Sequence, residues 1–181
     1  MFIRYCRIVR IANFAQLVNA IAPIFTNQQG LFLQTIYHPL RLYAEHTQAI
    51  ALDVHVDCEV YDLPPAQEEG GFGRRHHIAD LGPFKLLDAV ATCDTTGRQV
   101  TLAVVNRDKD RGHKATIQFA GGGAPSSVTV AEVNGAGPEA MNSFDHPDAV
   151  GVREHRMNLT GSHPDYLFPA HSITLLRFGF A

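Results

Sequence analysis

A long apolar segment near the start of the chain, residues 11–26, constrains the fold most strongly. Read as a helix, it is apolar on almost every side, and only Asn13, Gln16 and Asn19 interrupt it. Such a helix is normally found deep inside a larger structure, so the segment predicts burial. Buried amides need hydrogen-bond partners, so these three side chains either hold a core together or face a polar ligand.

The first fifty residues alternate between helix and strand. Residues 2–22 predict a helix, residues 23–26 a short buried strand, and residues 31–47 a second helix with a kink or a late start at Pro39. This order is typical of an α/β barrel, but about 50 residues have no sheet to close and no second layer. Residues 1–50 therefore predict the last α/β segment of a truncated (β/α)8 barrel.

From residue 49 onwards the apolar pattern changes to a period of two, which is typical of half-buried β-strands. A turn at residues 94–97 separates two such strands and predicts a hairpin. The predicted strands are residues 49–61, 86–93, 99–106, 114–119, 127–133, 150–159 and 173–178. Short strands with turns at close intervals indicate an antiparallel β-sandwich over residues 51–181. The predicted fold class is mainly β: this C-terminal antiparallel sandwich, preceded by the barrel segment.

Composition and charge argue against several classes of partner. The 181 residues carry a net charge of −3, so neither nucleic acid nor an anionic membrane is an expected partner. No stretch approaches the ~20 apolar residues of a membrane span, and arginines and amides interrupt the N-terminal segment too often for a signal peptide. Three scattered cysteines suit a reducing compartment, which predicts a cytoplasmic protein.

The sequence contains no spacing of histidine, cysteine or acidic residues that predicts a metal site, and no cofactor is expected. The pair His76-His77 is interpreted as part of a solvated loop, because adjacent histidines point in different directions and no carboxylate or thiol supports them. His171 follows a turn at Pro169, and we interpret it as a neutral side chain that ties two loops before the last strand.

Several ordered phrases resemble the family-51 α-L-arabinofuranosidases, and together they cover essentially the whole chain. Residues 15–19 read A-Q-L-V-N, which resembles an A-Q-x-V-N run at the end of that family's catalytic barrel. Phrases that resemble its C-terminal sandwich lie at residues 51–54 (A-L-D-V), 102–107 (L-A-V-V-N-R), 132–135 (E-V-N-G), 141–144 (M-N-S-F) and 168–172 (F-P-A-H-S). Their common order is a more specific signal than any single phrase.

The resemblance implies a retaining, exo-acting enzyme that releases terminal arabinofuranosyl residues from arabinan or arabinoxylan oligosaccharides. It implies that Gln16 contacts the arabinofuranosyl ring, whereas no role carries over to Asn13 and Asn19, which are left as structural amides. Any homo-oligomer is expected to form through the parent enzyme.

The same resemblance leaves the chain without catalytic residues. Retaining hydrolysis needs two carboxyl groups about 5–5.5 Å apart, and the family's two glutamates precede the A-Q-x-V-N run. No position here matches them, so no catalytic residue is assigned and the chain is expected to be inactive by itself. Glu45 is expected on the outer, solvated face of the last barrel helix.

Two alternatives stay open. A non-catalytic β-sandwich could bind carbohydrate or another partner, but such modules commonly use aromatic platforms, and this chain has no Trp and five Tyr. The other alternative is a truncated reading frame with an unstable product, since an uncovered apolar helix favours aggregation. Residues 51–181 are then expected to be more soluble than the full chain.

Overall fold

The fold consists mainly of antiparallel strands, which confirms the prediction of a mainly β chain, while the barrel segment over residues 1–50 stays a prediction. The computed structural model describes residues 2–64, 78–121, 123–159 and 161–181. In chain order its elements are β1 (Ile24–Asn27), β2 (Gly30–Leu33), α1 (Tyr37–His46), β3 (Ile50–Leu52), β4 (Val60–Tyr61), a 3-10 turn (Ile78–Leu81), β5 (Phe84–Lys85), β6 (Leu87–Cys93), β7 (Gln99–Asn106), β8 (His113–Thr116), β9 (Ser127–Asn134), β10 (Gly151–Met157), β11 (Asp165–Phe168) and β12 (Ile173–Gly179).

Six of the described strands form the central sheet, in the order β10-β9-β12-β7-β6-β3, and each neighbouring pair is antiparallel. Strands β6 and β7 form the predicted hairpin, in which Cys93 lies opposite Val100. Asp94 closes the turn between them, because its Oδ1 accepts the backbone N–H of Gln99 at 3.0 Å. The last strand, β12, lies between β7 and β9, so the C-terminal residues occupy the middle of the sheet.

The long strand predicted over residues 49–61 is only partly present. Its first residues form the edge strand β3 and its last residues form β4, while residues 53–59 belong to no strand. The side chains of Val54, Val56 and Cys58 nevertheless pack against the core of the sandwich. The period-two pattern therefore predicts the alternate burial of these side chains correctly. The backbone between β3 and β4, however, forms no β-ladder with a described strand.

Each face of the central sheet has its own core. On one face Val104, Leu176 and Phe178 pack in a cluster with residues of β8 and β11, which form a smaller second layer. On the other face Leu42 of α1 is fully buried in a cluster that includes Leu175 of β12. Successive residues of a strand point to opposite faces, so strands covered on both sides are apolar almost throughout.

The second predicted helix starts late. Helix α1 begins at Tyr37 rather than at residue 31, and Pro39 lies in its first turn, where proline removes no intrahelical hydrogen bond. The residues before it form β2, which pairs with β1 through a tight turn, so that Asn27 lies opposite Gly30. Because α1 shares a core with the sheet, the proposed domain boundary at residue 50 stays a prediction.

The helix predicted over residues 2–22 is wrong. Residues 2–8 form turns, and both Asn19 and Ala20 have a positive φ, of 58° and 54°. The apolar side chains are exposed rather than buried, with Ile11 at 77% and Ile21 at 76%. An apolar helix depends on tertiary packing to form, and the described residues leave most of this segment uncovered.

Candidate functional site

Gln16, the predicted sugar contact, lies at the surface in the irregular segment before β1. Two residues later, Val18 forms a parallel bridge with Ile24 of β1. The side chain of Gln16 is exposed, not buried as the sequence predicts. An exposed amide can donate and accept hydrogen bonds at once, which suits the hydroxyl groups of a sugar. The assignment of Gln16 as a sugar contact stays a prediction.

Asn19 fixes the segment that carries Gln16 to the first strand. Its Oδ1 accepts the backbone N–H of Thr26 at 2.8 Å, and its Nδ2 donates to the hydroxyl of Thr26 at 3.2 Å. Its own N–H donates to the carbonyl of Ile24 at 2.8 Å. Asparagine is one of the few residues besides glycine that adopt positive φ readily, so Asn19 is confirmed as a structural amide. Asn13 is exposed, and its role stays a prediction.

A loop of the sandwich holds the β1–β2 hairpin. Asn142 is 2% exposed and donates its side-chain amide to the carbonyls of Leu33 and Val150, both at 2.8 Å. Its Oδ1 accepts the N–H of Val150 at 2.7 Å. Phe144 packs edge-on against Phe32, with ring centroids 4.8 Å apart. The M-N-S-F phrase, to which sequence reasoning assigned no role, thus joins the hairpin to the sandwich.

Another buried amide, Asn106, joins the end of β7 to the turn before β12. It is 2% exposed, and its Nδ2 faces the carbonyls of Phe168 at 3.1 Å, Pro169 at 2.8 Å and Arg111 at 3.0 Å. Its Oδ1 accepts the N–H of Asp108 at 2.9 Å. The L-A-V-V-N-R and F-P-A-H-S phrases of this chain therefore meet at the side chain of Asn106.

His171 ties two loops together, as the sequence predicts. Its Nδ1 lies 2.9 Å from the carbonyl oxygen of Lys109, and its Nε2 lies 3.3 Å from that of Gly135. The residue has a φ of 43°, and its N–H donates to the carbonyl of Asp108. A neutral imidazole can donate to only one of these two backbone carbonyls.

Hydrogen bonds and neighbouring charges stabilise the ionised forms of Asp88 and Asp108. Asp88 forms ion pairs with two arginines. Its Oδ1 lies 2.6 Å from Nη2 of Arg4, and its Oδ2 lies 2.5 Å from Nη2 of Arg107. Burial raises the pKa of Asp88, but the hydrogen bond from Arg4 and the charge of Arg107 outweigh burial and lower the pKa overall. For Asp108, a backbone N–H and the ring of His113 hold the pKa well below its usual range. Neither group is suited to donate a proton.

Glu45 lies where the sequence predicts, on a solvated helix face. Its side chain is 52% exposed and lies 3.8 Å from Nε of Arg41, four residues earlier on α1. An exposed ion pair of this kind contributes little to stability.

Neither a metal-binding cluster nor a membrane-spanning helix is present among the described residues. No three His, Cys, Asp or Glu side chains in that part of the chain are grouped to hold a metal ion. No helix there is long and apolar enough to cross a membrane. The pair His76-His77 lies outside the described residues.

An apolar groove of about 700 Å³ opens between the two layers of the sandwich. Ala89, Leu102 and Val104 of the central sheet form its floor, and Phe119 and Phe180 contribute to its lining. The unpaired segment of residues 53–57 borders it as well. A lining of this composition suits an apolar segment of polypeptide better than the hydroxyl groups of a sugar.

The sequence matches a known family over nearly its whole length. The model of the alpha-L-arabinofuranosidase C-terminal domain matches residues 1–172. The probable alpha-L-arabinofuranosidase C of Aspergillus clavatus is 32% identical over 178 residues, which are 98% of this chain and 32% of that protein. An intracellular exo-alpha-(1->5)-L-arabinofuranosidase of Bifidobacterium longum is 30% identical over 169 residues, 88% of this chain and 27% of that protein. The chain thus spans about a third of the length of the curated relatives it matches.

Solved structures agree with the sequence match. The arabinose complex of the alpha-L-arabinofuranosidase from Thermotoga maritima has a TM-score of 0.80 at 25% identity, over 96% of this chain and 35% of that one. The GH51 alpha-L-arabinofuranosidase of Thermotoga petrophila RKU-1 has a TM-score of 0.81 at 26% identity, with the same coverage. The chain therefore belongs to the alpha-L-arabinofuranosidase C-terminal domain family and corresponds to a C-terminal part of a family-51 arabinofuranosidase.

Proposed function

We propose that this chain serves as the C-terminal part of a retaining, exo-acting α-L-arabinofuranosidase. Such an enzyme removes terminal arabinofuranosyl residues from arabinan or arabinoxylan oligosaccharides. The observation that carries the proposal is the likeness, over 96% of the chain, to the arabinose-bound enzyme of Thermotoga maritima. In this arrangement residues 1–50 supply the last segment of the (β/α)8 barrel, and residues 51–181 form the sandwich that braces it.

The exposed apolar surface of the N-terminal segment supports this division. Leu17 is 66% exposed, and Ile11 and Ile21 are exposed to a greater extent. Contiguous apolar surface of this kind marks a place that another structure covers. The remainder of a barrel would cover it.

The sugar-binding role of Gln16 comes from the resemblance of residues 15–19 to the family, and its place and chemistry are compatible with that role. The residue precedes β1 on a segment that Asn19 fixes through three hydrogen bonds to β1. Its exposed amide is available to a ligand that approaches from the barrel side.

The catalytic carboxyl groups of the proposed enzyme lie outside this chain. A general acid needs a raised pKa to hold its proton near neutral pH. Among the described residues, each carboxyl group whose pKa departs clearly from its usual value has it lowered; these groups are Asp88, Asp94, Asp108 and Asp165. We expect no hydrolysis by the chain without the rest of the enzyme, because no position here matches the two glutamates of the family.

The groove in the sandwich offers a second contact with the rest of the enzyme. Its floor is the apolar face of β6 and β7, and residues 53–57 beside it make no ladder with a described strand. An extended apolar segment in this position would cover Ala89, Leu102 and Val104. We propose that an earlier sandwich strand of the complete enzyme occupies it.

A cytoplasmic location is also proposed. The relative from Bifidobacterium longum is described as intracellular, and Cys6, Cys58 and Cys93 are all free thiols. Free cysteines are common in reducing compartments.

A fusion protein tests the proposed activity. The first two-thirds of the Aspergillus clavatus relative would be followed by this chain in place of that protein's own matched third. We expect the fusion to release 4-nitrophenol from 4-nitrophenyl α-L-arabinofuranoside, and the chain without its partner to release none. Hydrolysis by the 181-residue chain itself would contradict the assignment of the catalytic groups.

Two glutamine variants of the fusion test the site. Gln16→Ala is expected to lower kcat/KM about tenfold or more, because a hydrogen bond to the sugar is lost. Gln99→Ala changes a glutamine that is exposed at the start of β7 and is the matched control. An inactive fusion, together with retention of the chain on insoluble arabinoxylan, would favour the non-catalytic binding module instead.

A further inference from the structure

We infer that Asn142 is a positioning residue for the sugar contact of Gln16 and that it acts through the β1–β2 hairpin. The inference rests on the proposed function for the role of Gln16, whereas the mechanical link between the two residues stands on the contacts of this chain. Asn142 lies in the loop between β9 and β10, 126 positions after Gln16 in the sequence.

The first step of the link is the side chain of Asn142 itself. The Nδ2 of Asn142 donates hydrogen bonds to the carbonyl of Leu33, the last residue of β2, and to the carbonyl of Val150, both at 2.8 Å. The Oδ1 accepts the N–H of Val150 at 2.7 Å, so the amide is itself held in one orientation. Because Asn142 is 2% exposed, water does not replace these bonds at low cost when the amide is removed.

The second step is a column of three aromatic rings. Phe144 meets the edge of Phe32 with centroids 4.8 Å apart, and Phe32 stacks on Phe25 of β1 with centroids 5.2 Å apart. Phe32 is 7% exposed and is the buried residue of β2. The M-N-S-F loop thus holds both strands of the hairpin, one through the backbone and both through the rings.

The third step runs from β1 to Gln16. The carbonyl of Ile24 accepts the N–H of Asn19, and the N–H of Thr26 donates to the side chain of Asn19, both at 2.8 Å. Val18 bridges to Ile24 as well. Gln16 lies two residues before Val18. Any shift of β1 therefore moves the backbone that carries Gln16.

The hairpin depends on this anchor because it has little support of its own. Among the described strands, β1 and β2 pair with each other and join no larger sheet. A hairpin of two short strands is marginally stable by itself in water. Its position relative to the sandwich is therefore set by the loop that carries Asn142 and Phe144.

Hydrogen exchange on the full 181-residue chain tests the link without any need for enzyme activity. Asn142→Ala is expected to speed exchange at the amides of Asn19 and Thr26 about tenfold more than at the amides of β7 and β12. Asn106→Ala is the matched control, since this asparagine is also 2% exposed and fully bonded but does not touch the hairpin. Equal acceleration throughout the chain in Asn142→Ala would overturn the inference.

A milder variant keeps the test decisive if Asn142→Ala does not fold. Phe144→Leu removes the edge contact with Phe32 at a position that is 42% exposed, so the sandwich is expected to remain folded. Selective exchange at Asn19 and Thr26 is again the expected result. Unchanged exchange at those two amides counts against the link.

A double-mutant cycle in the fusion protein tests the consequence for sugar binding. Asn142→Ala is expected to raise KM and lower kcat/KM about tenfold, but to cost little further when Gln16 is already alanine. Asn106→Ala, assayed well below its melting temperature, is expected to leave KM unchanged. Additive effects of Asn142→Ala and Gln16→Ala would show that Asn142 does not act through Gln16, whereas an inactive unmutated fusion would reject the proposed function and leave the exchange result standing.

Discussion

The side-chain amide of Asn106 donates a hydrogen bond of 2.8 Å to the carbonyl of Pro169, 63 residues further along the chain. The same amide faces the carbonyl of Phe168, and the N–H of Asn106 itself donates to the carbonyl of Ser172. These bonds connect the end of β7 to the turn that leads into β12, its neighbour in the sheet. The buried side chain of Asn106 therefore fixes the position at which β12 enters the central sheet.

Replacement of Asn106 by alanine is expected to lower the free energy of unfolding by about 2 kcal/mol, because buried carbonyls lose their donors. Urea unfolding followed by circular dichroism measures the change. Asn158→Ala, at an exposed position, is the control and is expected to shift the free energy by less than about 0.5 kcal/mol. Equal midpoints for the two variants would mean that the Asn106 bonds add nothing.

Gly135 has no room for a side chain. A Cβ at this position would lie 2.7 Å from the Cβ of Ala140 and 2.8 Å from Cγ2 of Val150. Gly135→Ala is therefore expected to destabilise the chain by about 1–3 kcal/mol through overpacking. At Gly137, two residues later, nothing lies within 4 Å of the same atom, so Gly137→Ala is the matched control. Thermal unfolding of both variants measures the difference in stability. A destabilised Gly137→Ala variant together with an unaffected Gly135→Ala variant would contradict the prediction.

His38 gives the fold a dependence on pH. Burial lowers the pKa of His38 and the charge of Arg41 adds to this, although a hydrogen bond to the Val150 backbone and the charge of Asp148 oppose it. The Nε2 of this ring has no hydrogen-bond partner among the residues that the structure describes. The unfolded chain therefore takes up a proton near pH 6.5 more readily than the folded one, and stability falls as pH falls through that value towards the lower pKa of the folded state.

The variant His38→Gln isolates this contribution. The difference in unfolding free energy between the unmodified chain and the variant is expected to be constant above about pH 7.5 and to shift against the unmodified chain below about pH 6.5. Burial also lowers the pKa of His46, so the variant should retain part of the slope. A difference that does not vary between these pH values would contradict the role of His38.

Leu42 tests whether α1 belongs to the core of the sandwich. Its side chain is fully buried in one cluster with Ala131 and Leu175. Leu42→Ala is expected to cost about 2–5 kcal/mol, as for other buried leucines. Leu40→Ala, on the same helix at 43% exposure, is the control and should cost far less. A small loss in both variants would mean that α1 is only loosely attached.

Truncated chains test where the molecule divides. A chain that begins at Val18 loses the exposed Ile8, Ile11 and Leu17 and keeps α1, so its soluble fraction after expression is expected to exceed that of the full chain. The sequence-based expectation that residues 51–181 are more soluble than the full chain is untested. That shorter piece would uncover the buried face of the sheet beneath α1. If it proves the most soluble of the three, the boundary at residue 50 holds and α1 is dispensable.

The strand-rich half of the chain was predictable because its signals are local. The hairpin of β6 and β7 lies within one residue of its predicted limits, since alternate burial and a turn at residues 94–97 can be read from neighbouring residues. Helix α1 was predictable in type but not in start, because Pro39 permits the first turn of a helix as well as a kink.

The N-terminal segment and the candidate site were less predictable for the opposite reason. The apolar pattern of residues 2–22 indicates burial but does not state which surface covers it, so a helix was predicted where the chain has turns. Gln16 and Asn19 share one phrase in the sequence and both are exposed, but the side chain of Asn19 is bonded to Thr26. That difference depends on how the segment meets β1.

The mainly β fold class, the principal strands and the family can be read from the chain alone, because alternation, turn residues and ordered phrases are properties of short stretches of sequence. The contact of Asn142 with Leu33, 109 residues away, and that of Asn106 with Pro169 become visible in the folded molecule. A buried amide is satisfied by whichever carbonyl the fold brings near it. The sequence names the amide, and the packing of distant segments chooses its partner.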